Sequence, residues 1–397
     1  MYSKWHWLHP AGWFLWVILT GYVIFVPFSI SIADTPFELL DIVFYVAAVG
    51  LLISPIIFCN IRSLRISGLR LNRKYVYHAA VIYLILTGLR ISTFTLDYEI
   101  LRVGLSSGFF YLNIASWLIV LAMFTLPMVA KYRGIQWLMF TLEVVLLFNT
   151  GFREWIIAFF VGFIIVLASL GRRIHWSLFP IGILVFLFVL SPVWYAQRSA
   201  SSYLHGLSET ELATETRGKF YHTGRYFFND YGYFFKSASA RLGAPGEASI
   251  RIIRNIRTGE VDRKDVRTWS RNLNQIFVPR IFWPDKPSFR PGEEVYTTFY
   301  DQENPRQISH PSGIIGELWW LMSWYSFLIL PAFGFFLMLL ANAMLRTSIS
   351  WPFVYFLLFF VFLETHIVFY LSGWLRVLPV YLIFWYLLKK NNLRNRI

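Results

Sequence analysis

The chain has 397 residues, of which 57% are hydrophobic, 20% aromatic and 15% charged, with a mean hydropathy of +0.53. These proportions exclude an ordinary soluble domain and point to an all-α chain that crosses a membrane many times. The formal charge of +14 does not call for nucleic acid, since basic residues in such a chain first report loop sidedness; the single cysteine, Cys59, excludes an internal disulfide or a Cys-based metal site.

A bilayer is crossed by a helix of about 20 apolar residues. Runs of that kind lie at 13–32, 39–59, 76–96, 109–130, 135–150, 154–170, 176–196, 319–345, 351–370 and 374–388, the fifth being short. Residues 1–10 carry one Lys and the run after them shows no small-residue cleavage site, so the first run is read as a retained span. About ten spans place both termini on one side. The chain thus divides into an N-terminal transmembrane block (1–196), a large polar segment (197–313), and a C-terminal transmembrane block with a basic tail (314–397).

The short connections sort by charge. Arg62, Arg65, Arg70, Arg73 and Lys74, then Lys131 and Arg133, Arg172 and Arg173, Arg346, and the tail Lys389, Lys390, Arg394 and Arg396 fall on the side of the N-terminus. Short loops rich in Lys and Arg stay in the cytoplasm, so both termini are expected there. The segment 197–313 is then outside, in the periplasm of a bacterium whose inner membrane holds the chain. No ATP or nucleotide sugar is expected in that compartment, and no Walker or dinucleotide glycine motif appears.

Within the segment, 209–219 reads as helical. From 247 to 256, Ile250, Ile253 and Ile256 share one helical face with Arg251 and Arg254 beside them, a pattern suited to a helix lying on the membrane surface. Pro279, Pro284, Pro287 and Pro291 interrupt any helix after that. Pro311 suits the first turn of the next helix, with His310 near its N-cap. No internal repeat is visible.

Several side chains suit chemistry. Arg90 lies inside the third span, where a charge needs a partner or a ligand; an ion pair with Glu143, Glu154 or Glu364 is one reading and an anionic substrate the other. Arg153 stands at an outer turn beside Gly151. With Arg225, Arg251 and Arg254 it supplies planar guanidinium groups, which suit bidentate phosphate binding, for a diphosphate at the outer face. His310 and Glu317, seven apart on a helix begun at Pro311, would share a face as base and deeper carboxylate. Helix capping by His310 and pairing of Glu317 with an Arg are the plainer alternatives. His205 and His222 read as solvated loop residues, and Glu364, His366 and Arg376 as a structural ion-pair cluster. Trp283, Tyr296 and Tyr300 suit either sugar stacking or core packing. No His or carboxylate pair has convincing ligand spacing, and no cofactor is called for.

Taken together, the spans, the late periplasmic segment, Asn149-Thr150-Gly151-Phe152-Arg153, the Gly224-Arg225 step, the stretch Val278-Pro279-Arg280-Ile281-Phe282-Trp283-Pro284-Asp285-Lys286-Pro287 and the approach from His310 to Glu317 resemble the Wzy-type O-antigen and exopolysaccharide repeat-unit polymerases, relatives of the O-antigen ligases. The paired Arg-x10-Gly motifs of some polymerases are absent, Arg280 and Gly292 missing that spacing by one. The resemblance implies a GT-C-like membrane glycosyltransferase, with undecaprenyl-diphosphate-linked oligosaccharide as donor and acceptor. It also implies a flippase and a chain-length regulator as partners, surrounding membrane lipids, and a catalytic role for His310. A ligase that moves finished glycan and a lipid or polysaccharide transporter are the alternatives carried forward.

Overall fold

A computed structural model describes residues 18–31, 37–58, 75–94, 106–124, 130–149, 159–160, 163, 178–205, 219–270, 283, 291–300 and 312–346. The described residues are helical, with no strand among them. In chain order they form a π-turn at Thr20–Ile24 and α1 (Val26–Ile30), then α2 (Leu39–Phe58), α3 (Val76–Phe94), α4 (Ser106–Phe124) and α5 (Ala130–Asn149). Next come α6 (Leu178–Val185), a π-turn at Phe186–Leu190, α7 (Ser191–His205), α8 (Lys219–Asn229), α9 (Tyr231–Thr258), α10 (Pro291–Phe299), α11 (Gly313–Met322) and α12 (Ser326–Arg346).

The second and third runs form helices where they were read, α2 and α3 beginning at Leu39 and Val76. The fifth is longer than the sequence suggests, because Ala130, Lys131, Tyr132, Arg133 and Gly134 continue its N-terminal turn. The seventh run carries through its π-turn into α7 and ends at His205, so helix crosses the boundary drawn at 197. The eighth starts at Gly313 rather than 319. It bends at Ser323, whose φ of 49° lies in a region that only a strained non-glycine residue occupies. Among the described residues, Gly313–Phe336 is the one stretch long and apolar enough to cross a membrane; Thr20–Ile30, Leu39–Pro55, Val76–Ile91 and Ala115–Phe124 are shorter apolar helices. All but Lys219 of the helix read at 209–219, the ninth and tenth runs and most of the sixth lie outside the described residues.

The central element is α9. It packs on α1 and its π-turn, on α2, α7, α8, α10 and α11. From Gly243 to Ile250 every residue is buried, as are Ile252 and Ile253. The apolar face of the 247–256 helix is not free for a membrane surface: Ile250 and Ile253 are inside the protein, Ile256 is half-buried, and the helix begins sixteen residues earlier, at Tyr231. What the apolar spacing showed was a core face rather than a lipid face.

Contact of α9 with the first π-turn is backbone to backbone. A Cβ on Gly243 would fall 2.1 Å from the carbonyl oxygen of Phe25, and a side chain there can only be met by separating the two elements. Gly243→Ala is expected to lower the thermal stability of the detergent-solubilised protein by about 1–3 kcal/mol, the usual cost of overpacking. Gly224→Ala, where a Cβ meets open space, serves as control and is expected to stabilise α8 by about 0.5–1 kcal/mol.

Rings fill the remaining joints. Trp319 of α11, 1% exposed, lies against Phe44 of α2 and against Trp324 and Phe327, joining α2, α11 and α12. Phe124 of α4 meets Trp137 and Phe140 of α5 and Phe163 edge to face.

The outward faces of these helices are apolar. Val81, Ile82, Leu84, Ile85, Leu89 and Ile91 of α3 are about half exposed or more, and α2, α6 and α12 present comparable rows. The inward positions hold Asp41, Arg90, Asn113, Gln136 and Glu143, each fully buried. These few polar residues sit within an interior that is otherwise mostly apolar, while the apolar rows outside are left uncovered.

Candidate functional site

Three of the described candidates, Arg251, Arg254 and Glu317, lie on α9 and α11, two helices packed on each other. Ser249 joins the two helices. Its Oγ lies 2.7 Å from the Pro245 carbonyl and 3.1 Å from the Ser312 carbonyl, and it accepts the Gly316 N–H at 3.1 Å. At the head of α11, Gly313 takes a φ of 61°. Glycine is required there twice over: for that angle, and because a Cβ would meet the Tyr22 hydroxyl at 2.5 Å. The next N–H, from Ile314, is donated to that same Tyr22 oxygen at 2.9 Å, while Tyr45 donates to the Tyr22 carbonyl. Four elements distant in sequence thus meet at the start of α11.

Glu317 sits on the second turn of α11 and is 3% exposed. A buried carboxylate needs hydrogen-bond donors, and the Trp269 indole N–H supplies one to Oε1 at 2.9 Å. α11 starts at Gly313, with a left-handed residue at its head. His310 and Arg153 lie outside the described residues.

Arg251 and Arg254 share a stripe of α9 with Glu247 and Arg257, at spacings of three and four that return to one face. Arg251 gives Nε and Nη2 to one oxygen of Glu247, each at 3.0 Å, and its guanidinium lies 4.2 Å from the centre of the Tyr300 ring. Tyr300 donates to the other Glu247 oxygen at 2.6 Å and stacks on Tyr296. Burial, reinforced by the Glu247 charge, pushes the Tyr300 phenol well above its ordinary value. Tyr296 and Tyr300 are therefore core residues in this structure, the packing alternative of the two read from sequence. Arg254 is half-buried on the same stripe. One turn further, Arg257 donates Nη2 to Glu38 at 2.6 Å and Nε to Asp41 at 3.0 Å, and the Glu38 bond raises its affinity for the proton further. Asp41 also accepts the Glu38 N–H at the head of α2, so one carboxylate caps that helix and holds α9 against it.

Two candidates lie elsewhere. Arg225 is exposed on α8. Arg90 on α3 is fully buried and bonds Glu143 of α5 at 2.7 Å; Tyr83 lies 3.0 Å from the same carboxylate oxygen. The ion pair, one of the two roles open to Arg90 in the sequence, is the one the structure contains. His222 is not a solvated loop residue: it is 3% exposed on α8, with the Tyr203 ring of α7 4.9 Å away.

A strap from Gly259 to Ser270 lies along α11. The Lys264 N–H donates to the Trp320 carbonyl at 3.0 Å, the Trp320 indole donates to the Asp262 carbonyl at 3.3 Å, and the Lys264 ammonium lies 4.4 Å above the Trp320 ring while pairing with Glu294 of α10. Asp265 then caps the short helix 266–270 by accepting the N–H groups of Arg267 and Thr268, each at 3.1 Å. Those donors, Arg267 first, hold the Asp265 carboxyl below its ordinary range. A carboxyl depressed in the folded state contributes its stabilisation above the ordinary Asp value of about 4 and loses it as pH falls through the depressed value. Hydrogen exchange at Arg267 and Thr268, corrected for intrinsic pH dependence, should accelerate on that acid side. In Asp265→Ala it should be fast at every pH.

Sequence reading missed Trp269, Tyr22, Glu38 and Asp41. Of the new contacts only Glu247 with Arg251 carries a local signal, the four-residue helical spacing of opposite charges. No family model, curated protein or solved structure matches the chain.

Proposed function

We propose that this chain is a multi-pass inner-membrane glycosyltransferase of the GT-C type, resembling the Wzy-type repeat-unit polymerases. It transfers glycan from an undecaprenyl diphosphate to a sugar hydroxyl of a second lipid-linked unit at the periplasmic face. The observation that carries this reading is the seating of arginine-bearing α9 directly on α11, whose buried carboxylate stands near the head of the one long apolar stretch among the described residues. A diphosphate leaving group and an acceptor proton need a cationic element and a base side by side at a membrane boundary, and this junction supplies both kinds of group. Supporting it further, the exposed rows of α2, α3, α6 and α12 suit lipid, and contiguous apolar surface of that extent marks a contact with membrane or partner.

In this mechanism the C–O bond to the diphosphate breaks as the acceptor oxygen attacks the anomeric carbon. Negative charge accumulates on the departing diphosphate, and preorganised guanidinium groups stabilise it. We assign that role to Arg153, Arg225 and Arg254. Arg251, engaged with Glu247, orders the face of α9 that presents Arg254, while Arg90 with Glu143 ties α3 to α5. Glu317 takes the acceptor proton as general base, His310 being the other candidate for that role. The prenyl tail stays in the bilayer.

A strain lacking the protein should accumulate single lipid-linked repeat units, read by mass analysis of its lipid-linked glycans. Normal polymer in that strain would sink the proposal. Accumulation of finished but unattached polymer would select the ligase. A reporter fused at Asn274 should be active only outside the cytoplasm; a cytoplasmic signal would remove the donor.

A further inference from the structure

We propose that Trp269 is the positioning residue of the α11 carboxylate: its indole fixes Glu317 in one rotamer before an acceptor arrives. This rests on Glu317 acting as the base.

Glu317 and Trp320 are three residues apart on α11 and share a face. The strap grips both. At Trp320 it makes the two backbone-level bonds and the cation contact described above, which fix the height of the strap along the helix. One turn earlier on α11 it delivers the Trp269 ring. That ring is set from below by the Asp265 cap and by the Trp269 N–H, which donates to the Asp265 carbonyl at 3.0 Å. The indole N–H then meets Oε1 of Glu317 at 2.9 Å.

The chemistry of this contact is one-sided. An indole nitrogen only donates, so it cannot exchange protons with the carboxylate or receive the one that Glu317 takes. Donation to a carboxylate favours the charged form, which a buried group would otherwise resist. It also stops the carboxyl from turning about its terminal torsion, which is otherwise broad. A base that must accept a proton from one direction gains from both effects. Trp269 touches neither donor nor acceptor in this scheme, and acts only through Glu317.

Trp269→Phe keeps the ring and removes the donor, so the strap should still fold. In proteoliposomes with a lipid-diphosphate-linked oligosaccharide as probe, it should lower kcat roughly tenfold, the scale of one hydrogen bond to a charged group, with KM unchanged. Its pH–rate profile should differ from that of the wild type, because the carboxylate has lost its donor. Trp269→Phe in a Glu317→Gln background should cost nothing more. Independently of turnover, the indole N–H resonance assigned by its absence in Trp269→Phe should titrate with pH in the wild type and not in Glu317→Gln. Wild-type kcat and pH profile in Trp269→Phe, with Glu317→Gln inactive, would overturn this proposal alone. Full turnover in Glu317→Gln would overturn the assignment of the base on which it stands, and an indole resonance that titrates unchanged in that variant would remove the contact itself.

Discussion

Replacing Glu143 by alanine is expected to destabilise the helical core by about 3–5 kcal/mol, the cost of leaving a buried charge without its partner. Glu143 and Arg90 are each fully buried, and their 2.7 Å bond ties α3 to α5. Loss of the carboxylate also removes one of the two acceptors of the Tyr83 hydroxyl, at 3.0 Å, leaving it the Met139 carbonyl at 3.1 Å. Arg90→Ala should be nearly as damaging. The double variant Arg90→Met, Glu143→Leu should recover most of the loss, since exchanging a buried pair for apolar residues of similar volume is often neutral or stabilising. Denaturant unfolding in a fixed detergent measures all three, and a single variant as stable as wild type would show that the pair contributes nothing. Because the pair lies away from the α9–α11 junction, the double variant should polymerise normally if Arg90 has no direct part in catalysis.

Glu317→Gln should reduce kcat by about 10²–10⁴, the range supplied by a positioned general base, with little change in stability. Glutamine keeps the volume and an oxygen that can accept the Trp269 N–H, so the strap and α11 should hold their places. Glu317→Ala would confound the test by leaving the indole and a cavity behind. An alternative in which Glu317 serves only to anchor the strap predicts the reverse: full activity in Glu317→Gln and unfolding in Glu317→Ala. Circular dichroism and turnover on the same preparations separate the two.

Much of the helical scaffold was legible in the sequence. Twenty consecutive apolar residues leave a chain few choices, and α2 and α3 start at the residues where their runs start. The long helix α9 was not. Only its second half shows apolar residues at helical spacing; the first contains Gly232, Ser237, Ser239, Gly243, Pro245 and Gly246, which local propensity assigns to a loop. Gly243 and Gly246 lie against Phe25 and Val26, where a larger side chain does not fit, and there close contact outweighs propensity.

The start of α11 has the same cause. Local rules favour Pro311 as the first helical residue, but the N–H of Ile314 is met by Tyr22, 292 residues earlier in the chain, and Gly313 turns left-handed to reach it. Arginine pairing divides in the same way. Glu247 with Arg251 follows from spacing within one helix, whereas Arg257 with Asp41 and Glu317 with Trp269 join separate elements and have no signature in the chain. Charge composition showed that arginines gather in this segment; only the packing of α9 determines that Arg251 and Arg257 already hold carboxylates.

The most direct measurement is reconstitution. Purified protein in liposomes, given only an undecaprenyl-diphosphate-linked oligosaccharide, should convert it into longer lipid-linked glycans and release one free undecaprenyl diphosphate for each bond formed. Arg254→Ala and Glu317→Gln should abolish both products together. A donor that stays intact in the presence of folded protein, or that crosses the bilayer without being joined to another, would contradict the account.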